Sequence, residues 1–127
     1  MARSNLKAQD LVGKGAEAHN AGQFDKAEKL YKRALKAEAS NADALHLLGL
    51  ISHQKGRHEY AAQLIGKALA IKPTEPAYNT NMAIVLNALT RWPEAERASI
   101  AAIKTEQQHA EAYNNLGRAL AAQNKYV

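Results

Sequence analysis

Hydrophobic and small residues recur with helical spacing along most of the chain. In the segment 45–52 they lie three, four and seven positions apart, and the segment 61–68 repeats that spacing. Such spacing places the residues on one face of an α-helix. Gly56 lies between the two segments, and glycine is the usual residue where a helix ends in the left-handed conformation. The pattern predicts two helices joined by a tight turn.

The same arrangement recurs when the sequence is advanced by 34 residues. Leu11 and Gly15 become Leu45 and Gly49, and two series of alanines keep the interval: Ala27, Ala61 and Ala95, and Ala34, Ala68 and Ala102. A period of this length indicates a solenoid of helical hairpins. We therefore expect one domain, 1–127, with repeats at about 8–41, 42–75 and 76–109 and a truncated unit at 110–127.

Two kinds of residue suggest how each hairpin closes. Small residues are expected to let the two helices approach closely, in the pairs Gly15 with Ala27, Gly49 with Ala61 and Ala83 with Ala95. A ring follows each turn, at Phe24, His58, Trp92 and Tyr126. Pro93 follows the third ring, where the first turn of a helix accepts proline.

The best-preserved units carry a recognisable motif. Unit two has Leu48-Gly49, Ala61, Ala68 and Pro73, and unit four has the segment 112–117, Ala-Tyr-Asn-Asn-Leu-Gly. Over nearly its whole length the chain resembles the tetratricopeptide repeat family. The resemblance implies an all-α solenoid of antiparallel helix pairs, about three and a half repeats in a right-handed superhelix.

Several residues depart from the family pattern. Lys14 replaces a leucine, Thr90 the turn glycine, Ser99 an aromatic residue of the second helix, and Ala39 and Gln107 the closing proline. Lys14 fits a capping repeat, whose outer face is polar because no unit precedes it.

The family resemblance also implies that the first helices of the units line a concave groove, which receives a peptide or a partner protein. Carried onto this sequence, the groove residues are His46, Leu50, His53, Asn81, Ile84, Asn87, Asn114, Asn115 and Arg118. Asn81 and Asn115 occupy equivalent positions, similar to the asparagine ladder of O-linked N-acetylglucosamine transferases, and carboxamides can hold a peptide backbone. The plainer interpretation is that asparagine is a common consensus residue there.

Chaperone adaptors of the family clamp a terminal carboxylate with lysine, asparagine and arginine. The corresponding positions here are Val12, Ala16, Leu47, Ala77 and Asn81. A carboxylate clamp is therefore not expected.

The composition excludes some classes of functional site. The 127 residues are 46% hydrophobic and 6% aromatic. They contain no cysteine, and this excludes thiolate metal sites and cysteine nucleophiles. His46 and His53 are seven positions apart, too far to share one ion, and no phosphate loop or GxSxG context occurs. We expect no enzyme activity, cofactor or metal. Without an apolar leader or membrane-length span, we interpret the chain as cytoplasmic with no membrane partner.

The formal net charge is +5, and the densest basic run is Lys26, Lys29, Lys32, Arg33 and Lys36. This run is either a patch for an anionic polymer or lipid, or the solvated face of an amphipathic helix with Asp25 and Glu28 interleaved. The second interpretation is favoured, so a nucleic-acid partner is not expected.

Two hypotheses for function follow. The first is a protein-interaction scaffold that binds a peptide or partner protein in its groove. The second is the amino-terminal, substrate-presenting arm of a larger glycosyltransferase- or sulfotransferase-like enzyme. It is suggested by the sequence of segment 42–49, which resembles bacterial repeat arrays fused to such domains. The uncovered stripe Tyr113, Leu116 and Leu120 favours self-association or a continuing chain.

Overall fold

The computed structural model describes residues 2–106 and 109–124, with side chains described from Lys7 onward. These residues form seven α-helices and no strand. The helices are α1 (Ala2–Asn20), α2 (Phe24–Ala37), α3 (Ala42–Gln54), α4 (His58–Ile71), α5 (Pro76–Ala88), α6 (Trp92–Thr105) and α7 (Ala110–Ala122).

The helices pack as successive hairpins. The most extensive contacts are between α1 and α2, between α3 and α4, and between α5 and α6, while α4 packs on α5, α2 on α3, and α7 on both α5 and α6. Each hairpin therefore rests on its sequence neighbours, as in a solenoid. This arrangement confirms the predicted all-α solenoid of antiparallel helix pairs.

The three hairpin turns have one backbone geometry. Gly22, Gly56 and Thr90 have φ angles of 77°, 83° and 59°. Each donates its N–H to the carbonyl three residues earlier, and the residue after it donates to the carbonyl five residues earlier. This pair of bonds closes a helix end through one left-handed residue. Thr90, noted as a departure from the family pattern, thus takes the same conformation as the glycines, and as a β-branched residue it is strained there.

The predicted rings begin the second helices of their hairpins: Phe24, His58 and Trp92 are the first residues of α2, α4 and α6. Pro93 lies within the first two positions of α6, as expected. Tyr126 and Gln107 lie outside the described residues.

Close approach inside the first two hairpins depends on a large and a small residue that meet at the crossing. A Cβ placed on Gly15 would lie 2.5 Å from Tyr31 Cε1, and one placed on Gly49 would lie 2.8 Å from Ile65 Cγ1 and 3.2 Å from the carbonyl oxygen of Ala61. The expected glycine contact with Ala61 is therefore present, whereas the nearest neighbour of Gly15 is the Tyr31 ring.

The equivalent pair in the third hairpin is Ala83 and Ser99, and both residues are fully buried. Ser99, which replaces an aromatic residue, satisfies its hydroxyl by donating to the carbonyl of Ala95 at 2.9 Å. A smaller residue on α6 thus accompanies a larger one on α5.

We predict that Thr90→Gly raises the free energy of unfolding by about 0.5–1 kcal/mol. A left-handed residue with a Cβ costs roughly 1–2 kcal/mol, and the greater freedom of glycine in the unfolded chain offsets part of that gain. Urea denaturation measures the change. The reverse substitution at the equivalent turn, Gly56→Thr, should destabilise the chain, and an unchanged midpoint for Thr90→Gly would show that the turn is unstrained.

Candidate functional site

The nine predicted groove residues lie on α3, α5 and α7, three to a helix. Their exposure differs widely. His46, Asn87 and Asn115 are buried, Leu50, His53, Asn81 and Ile84 are partly buried, and Asn114 and Arg118 are exposed. The set therefore contains residues that hold the helices together and residues that an incoming molecule can reach.

His46 is the centre of a compact contact between α3 and α5. Its imidazole lies against the ring of Tyr78, with centroids 4.4 Å apart and planes inclined by 32°. Asn81 Nδ2 lies 2.7 Å from His46 Nε2. An amide N–H can donate to that nitrogen only when the nitrogen carries no proton, so this bond requires neutral His46. Burial lowers the pKa of His46 to about 4, although the charge of Asp43 opposes the shift.

Tyr78 extends the same contact towards the start of α3. Its hydroxyl donates to Asp43 Oδ1, and burial together with this bond and the Asp43 charge raises the pKa of Tyr78. Tyr78 was not among the predicted groove residues. The available signal was its position, because units two and four have Ala44 and Ala112 at the equivalent site. The ring fills that position and bridges two repeats.

Asn81 and Asn115, equivalent in sequence, lie in different environments. Asn81 is partly buried and bonded to His46. Asn115 is buried, its backbone carbonyl accepts from Asn87 Nδ2 at 3.2 Å, and its own Nδ2 has no hydrogen-bond partner in the protein. Asn87 Oδ1 likewise lacks one. The amides of Asn87 and Asn115 therefore lie at the α5–α7 contact, and each keeps an unused hydrogen-bonding atom.

Two ring pairs lie at the turn end of the first helices. His53 Nδ1 is 2.8 Å from His58 Nδ1 across the α3–α4 turn, and burial, with the neighbouring His58, lowers the pKa of His53. One repeat earlier, His19 meets Phe24 edge to face and bonds Gln54 at 3.0 Å. A side-chain hydrogen bond thus also joins α1 to α3.

The described residues were compared with the requirements of a metal-ion site and of a membrane-spanning helix. No three His, Cys, Asp or Glu side chains there are grouped to hold an ion. Within the same part of the chain, every helix is too short or too polar to cross a membrane.

A sequence model described as Tetratricopeptide repeat matches residues 13–76 and 80–127. The chain belongs to the tetratricopeptide repeat family. This assignment agrees with the 34-residue period and with the hairpins of the structure.

Three similar proteins place this tetratricopeptide repeat chain in context. The structure of the first TPR of Spaghetti (RPAP3) bound to the HSP90 peptide SRMEEVD has a TM-score of 0.91 and 20% identity, covering 95% of this chain and 96% of that one. A Thermobaculum terrenum O-GlcNAc transferase mutant has a TM-score of 0.87 and 29% identity, covering 93% and 23%. Protein O-mannosyl-transferase TMTC1 of Homo sapiens is 29% identical over 116 residues, 91% of this chain and 13% of that protein. The chain spans 12–13% of the length of the curated relatives it matches.

We predict that acidification destabilises the chain through His46. A folded pKa near 4, against an ordinary value of 6.5, means that this contribution to stability is present above pH 6.5 and is lost as the pH falls towards 4. Between pH 7 and pH 5 the loss is about 2 kcal/mol. Urea unfolding at the two pH values measures it.

The variant His46→Gln, which keeps an acceptor for Asn81, should remove that part of the pH dependence. The same substitution at the partly exposed His19, which makes no hydrogen bond with His46 in the structure, should leave the His46 part of the pH dependence in place. An unaltered pH dependence in His46→Gln would contradict the assignment.

Proposed function

We propose that the chain is a protein-interaction scaffold that binds an extended segment of a partner protein along its first helices, α1, α3, α5 and α7. The proposal assigns no chemistry to the chain itself. Its main support is a series of side-chain hydrogen bonds that joins these helices and leaves several groove residues accessible.

These hydrogen bonds connect each first helix to the next first helix. His19 bonds Gln54 between α1 and α3, Asn81 bonds His46 between α3 and α5, and Asn87 bonds the α7 backbone. Because these contacts are made within the protein, they fix the spacing of the helices before a ligand arrives. A surface that is ordered in advance loses less conformational entropy on binding.

The accessible residues differ in chemistry along the row. Leu50 and Ile84 are apolar and partly buried, whereas Asn114 and Arg118 are polar and exposed. Asn81 uses one N–H on His46 and retains a carbonyl and a second N–H. These groups suit a peptide that inserts apolar side chains near α3 and α5 and pairs its backbone with amides.

The RPAP3 domain of the same fold is bound to the HSP90 peptide SRMEEVD. In this chain the clamp positions of chaperone adaptors carry Val12, Ala16, Leu47, Ala77 and Asn81. None of these side chains carries a cation for a terminal carboxylate. We therefore propose that apolar and amide groups of the groove recognise residues inside the ligand sequence, and not its terminal carboxylate.

We predict that peptides enriched from a random phage-displayed library bind the chain through Leu50 and Ile84. The double variant Leu50→Ser, Ile84→Ser should weaken the best peptide by about tenfold or more, because it removes two partly buried apolar contacts of roughly 1 kcal/mol each. Fluorescence anisotropy with the synthetic peptide measures the affinity.

The matched control is Tyr60→Ser, Ile71→Ser, which removes exposed apolar side chains from α4. It should change the affinity by less than about twofold. Equal losses in the two double variants, or no enriched peptide at all, would overturn the groove proposal. Circular dichroism verifies that each variant is folded.

The second candidate is a substrate-presenting arm of a larger transferase. It is favoured by the matches to an O-GlcNAc transferase and an O-mannosyl-transferase, each of which is much longer than this chain. In that case the groove would hold a protein substrate for chemistry carried out by another domain. The mass of the endogenous protein discriminates: a mass near 13.8 kDa favours the stand-alone scaffold, and a larger protein with a transferase domain favours the arm.

A further inference from the structure

The acidic residues of α2 are engaged by the next repeat. Glu28 Oε1 lies 3.0 Å from Lys55 Nζ, and Glu28 Oε2 lies 3.0 Å from Arg57 Nη1, while Asp25 pairs with Lys55. Burial alone would raise the pKa of Glu28, but the hydrogen bond from Lys55 and the charges of Lys32, Lys55 and Arg57 hold it below its ordinary value. Both carboxylates therefore serve the contact with the turn between α3 and α4.

This arrangement leaves three cations of α2, Lys26, Arg33 and Lys36, without a carboxylate at ion-pair distance among the described side chains, whereas Lys29 and Lys32 still interact with Asp25 and Glu28. Of the five in the basic run, only Lys32 has a carboxylate within ion-pair distance among the described side chains, at 3.7 Å from Glu28. The sequence interpretation of a solvated helix face rested on Asp25 and Glu28 being interleaved with the cations, as mixed charges four residues apart are ordinary on such a face. The structure shows that these acids are shared with the neighbouring repeat.

Two of the uncompensated cations line a hollow between α1 and α2. The hollow has a volume of about 220 Å³ and is lined by Lys7, Leu11, Arg33, Lys36 and Ala37. Three cations thus surround two apolar residues, and the lining contains no carboxylate. Leu11 is buried and the three cations are exposed, so an apolar floor lies beneath a basic rim.

A second hollow continues the same face. It has a volume of about 370 Å³ and is lined by Lys14, Glu17, Ala18, Gln23, Lys26 and Leu30. It again combines cations with an apolar floor, although Glu17 also contributes. From Lys26 to Lys36 the basic stripe of α2 extends about 15 Å, or nearly three helical turns.

The composition of this face discriminates between classes of anion. Single-stranded nucleic acid is held by aromatic stacking in addition to cations, and no aromatic residue lines either hollow. Glu17 in the second hollow would repel a phosphate chain that continued along the face, whereas a short helix can rest on the first hollow, whose lining contains no carboxylate. An amphipathic helix instead presents carboxylates at intervals of one turn beside apolar side chains, which matches a basic rim over an apolar floor.

We propose that the α1–α2 face, defined by Lys7, Leu11, Arg33, Lys36 and Ala37, is a second docking surface, and that it binds an acidic amphipathic helix of a partner protein. Arg33 and the two lysines receive the carboxylates, and the apolar side chains of the helix cover Leu11 and Ala37. This surface is separate from the proposed groove on the first helices. Its assignment does not depend on whether the groove binds a peptide.

The test uses the whole chain and three fluorescent probes. The first is a short, amidated amphipathic helical peptide with glutamates on one face and leucines on the other, the second has glutamine at every glutamate, and the third is a random single-stranded DNA oligonucleotide. The acidic peptide should bind best, and about a threefold rise in salt should weaken it markedly, because exposed charges are screened.

The deciding variant is Lys7→Gln, Arg33→Gln, Lys36→Gln. It should weaken the acidic peptide by about tenfold or more through loss of charge-assisted hydrogen bonds. The matched control, Lys67→Gln, Arg97→Gln, Lys104→Gln, removes the same net charge from exposed positions on α4 and α6 and should change the affinity by less than about twofold.

Three results would overturn the proposal. Equal weakening in both triple variants would show a general charge effect. Tighter binding of the oligonucleotide with the same dependence on the three cations would identify a nucleic-acid site. No binding of the acidic peptide at low salt would show that the face is only solvated. Thermal unfolding of each variant verifies that the hairpin is intact.

Discussion

Side-chain volume at the helix crossing is the constraint on which the rest of the structure depends. Gly15 leaves room for the ring of Tyr31, and Gly49 leaves room for Ile65. Because protein interiors are close-packed, a single extra methyl group at such a crossing forces the helices or a side chain to move. In the third hairpin the equivalent positions carry Ala83 and Ser99, both fully buried, with a residue larger than glycine on α5 and a residue smaller than tyrosine or isoleucine on α6. Each closed hairpin then provides the surface on which the next hairpin packs.

The candidate binding surfaces follow from this stacking. Stacking places the first helices side by side. The hydrogen bond between His46 and Asn81, which are 35 positions apart in the sequence, fixes the spacing of α3 and α5. On the other helices, Glu28 of one repeat pairs with Arg57 of the next. The carboxylate of Glu28 that stabilises the stack is thus shared between the cations of the next repeat and Lys32 of its own helix. Stability and surface charge are therefore linked through a single residue.

Periodicity predicted the helices and turns because it records which residues face a neighbouring helix, and the backbone bonds of the turn impose φ 59° even on Thr90. Contacts between repeats were not predictable in this way. The stacking of Tyr78 on His46 depends on the register of two hairpins, and so does the different burial of Asn81 and Asn115, although their sequence positions are equivalent. Which carboxylates leave their own helix for the next repeat is likewise set by packing.

The most direct test of the crossing constraint is a double-mutant cycle between positions 15 and 31, measured by urea unfolding. Gly15→Ala should cost about 1–3 kcal/mol beside Tyr31 and much less in the Tyr31→Leu background, so that the two substitutions are coupled. Gly13→Ala, in the same helix but with no atom beyond the local helix backbone within 4 Å of the added Cβ, should be neutral or stabilising in both backgrounds. An equal cost of Gly15→Ala in both backgrounds, or no cost at all, would contradict the account.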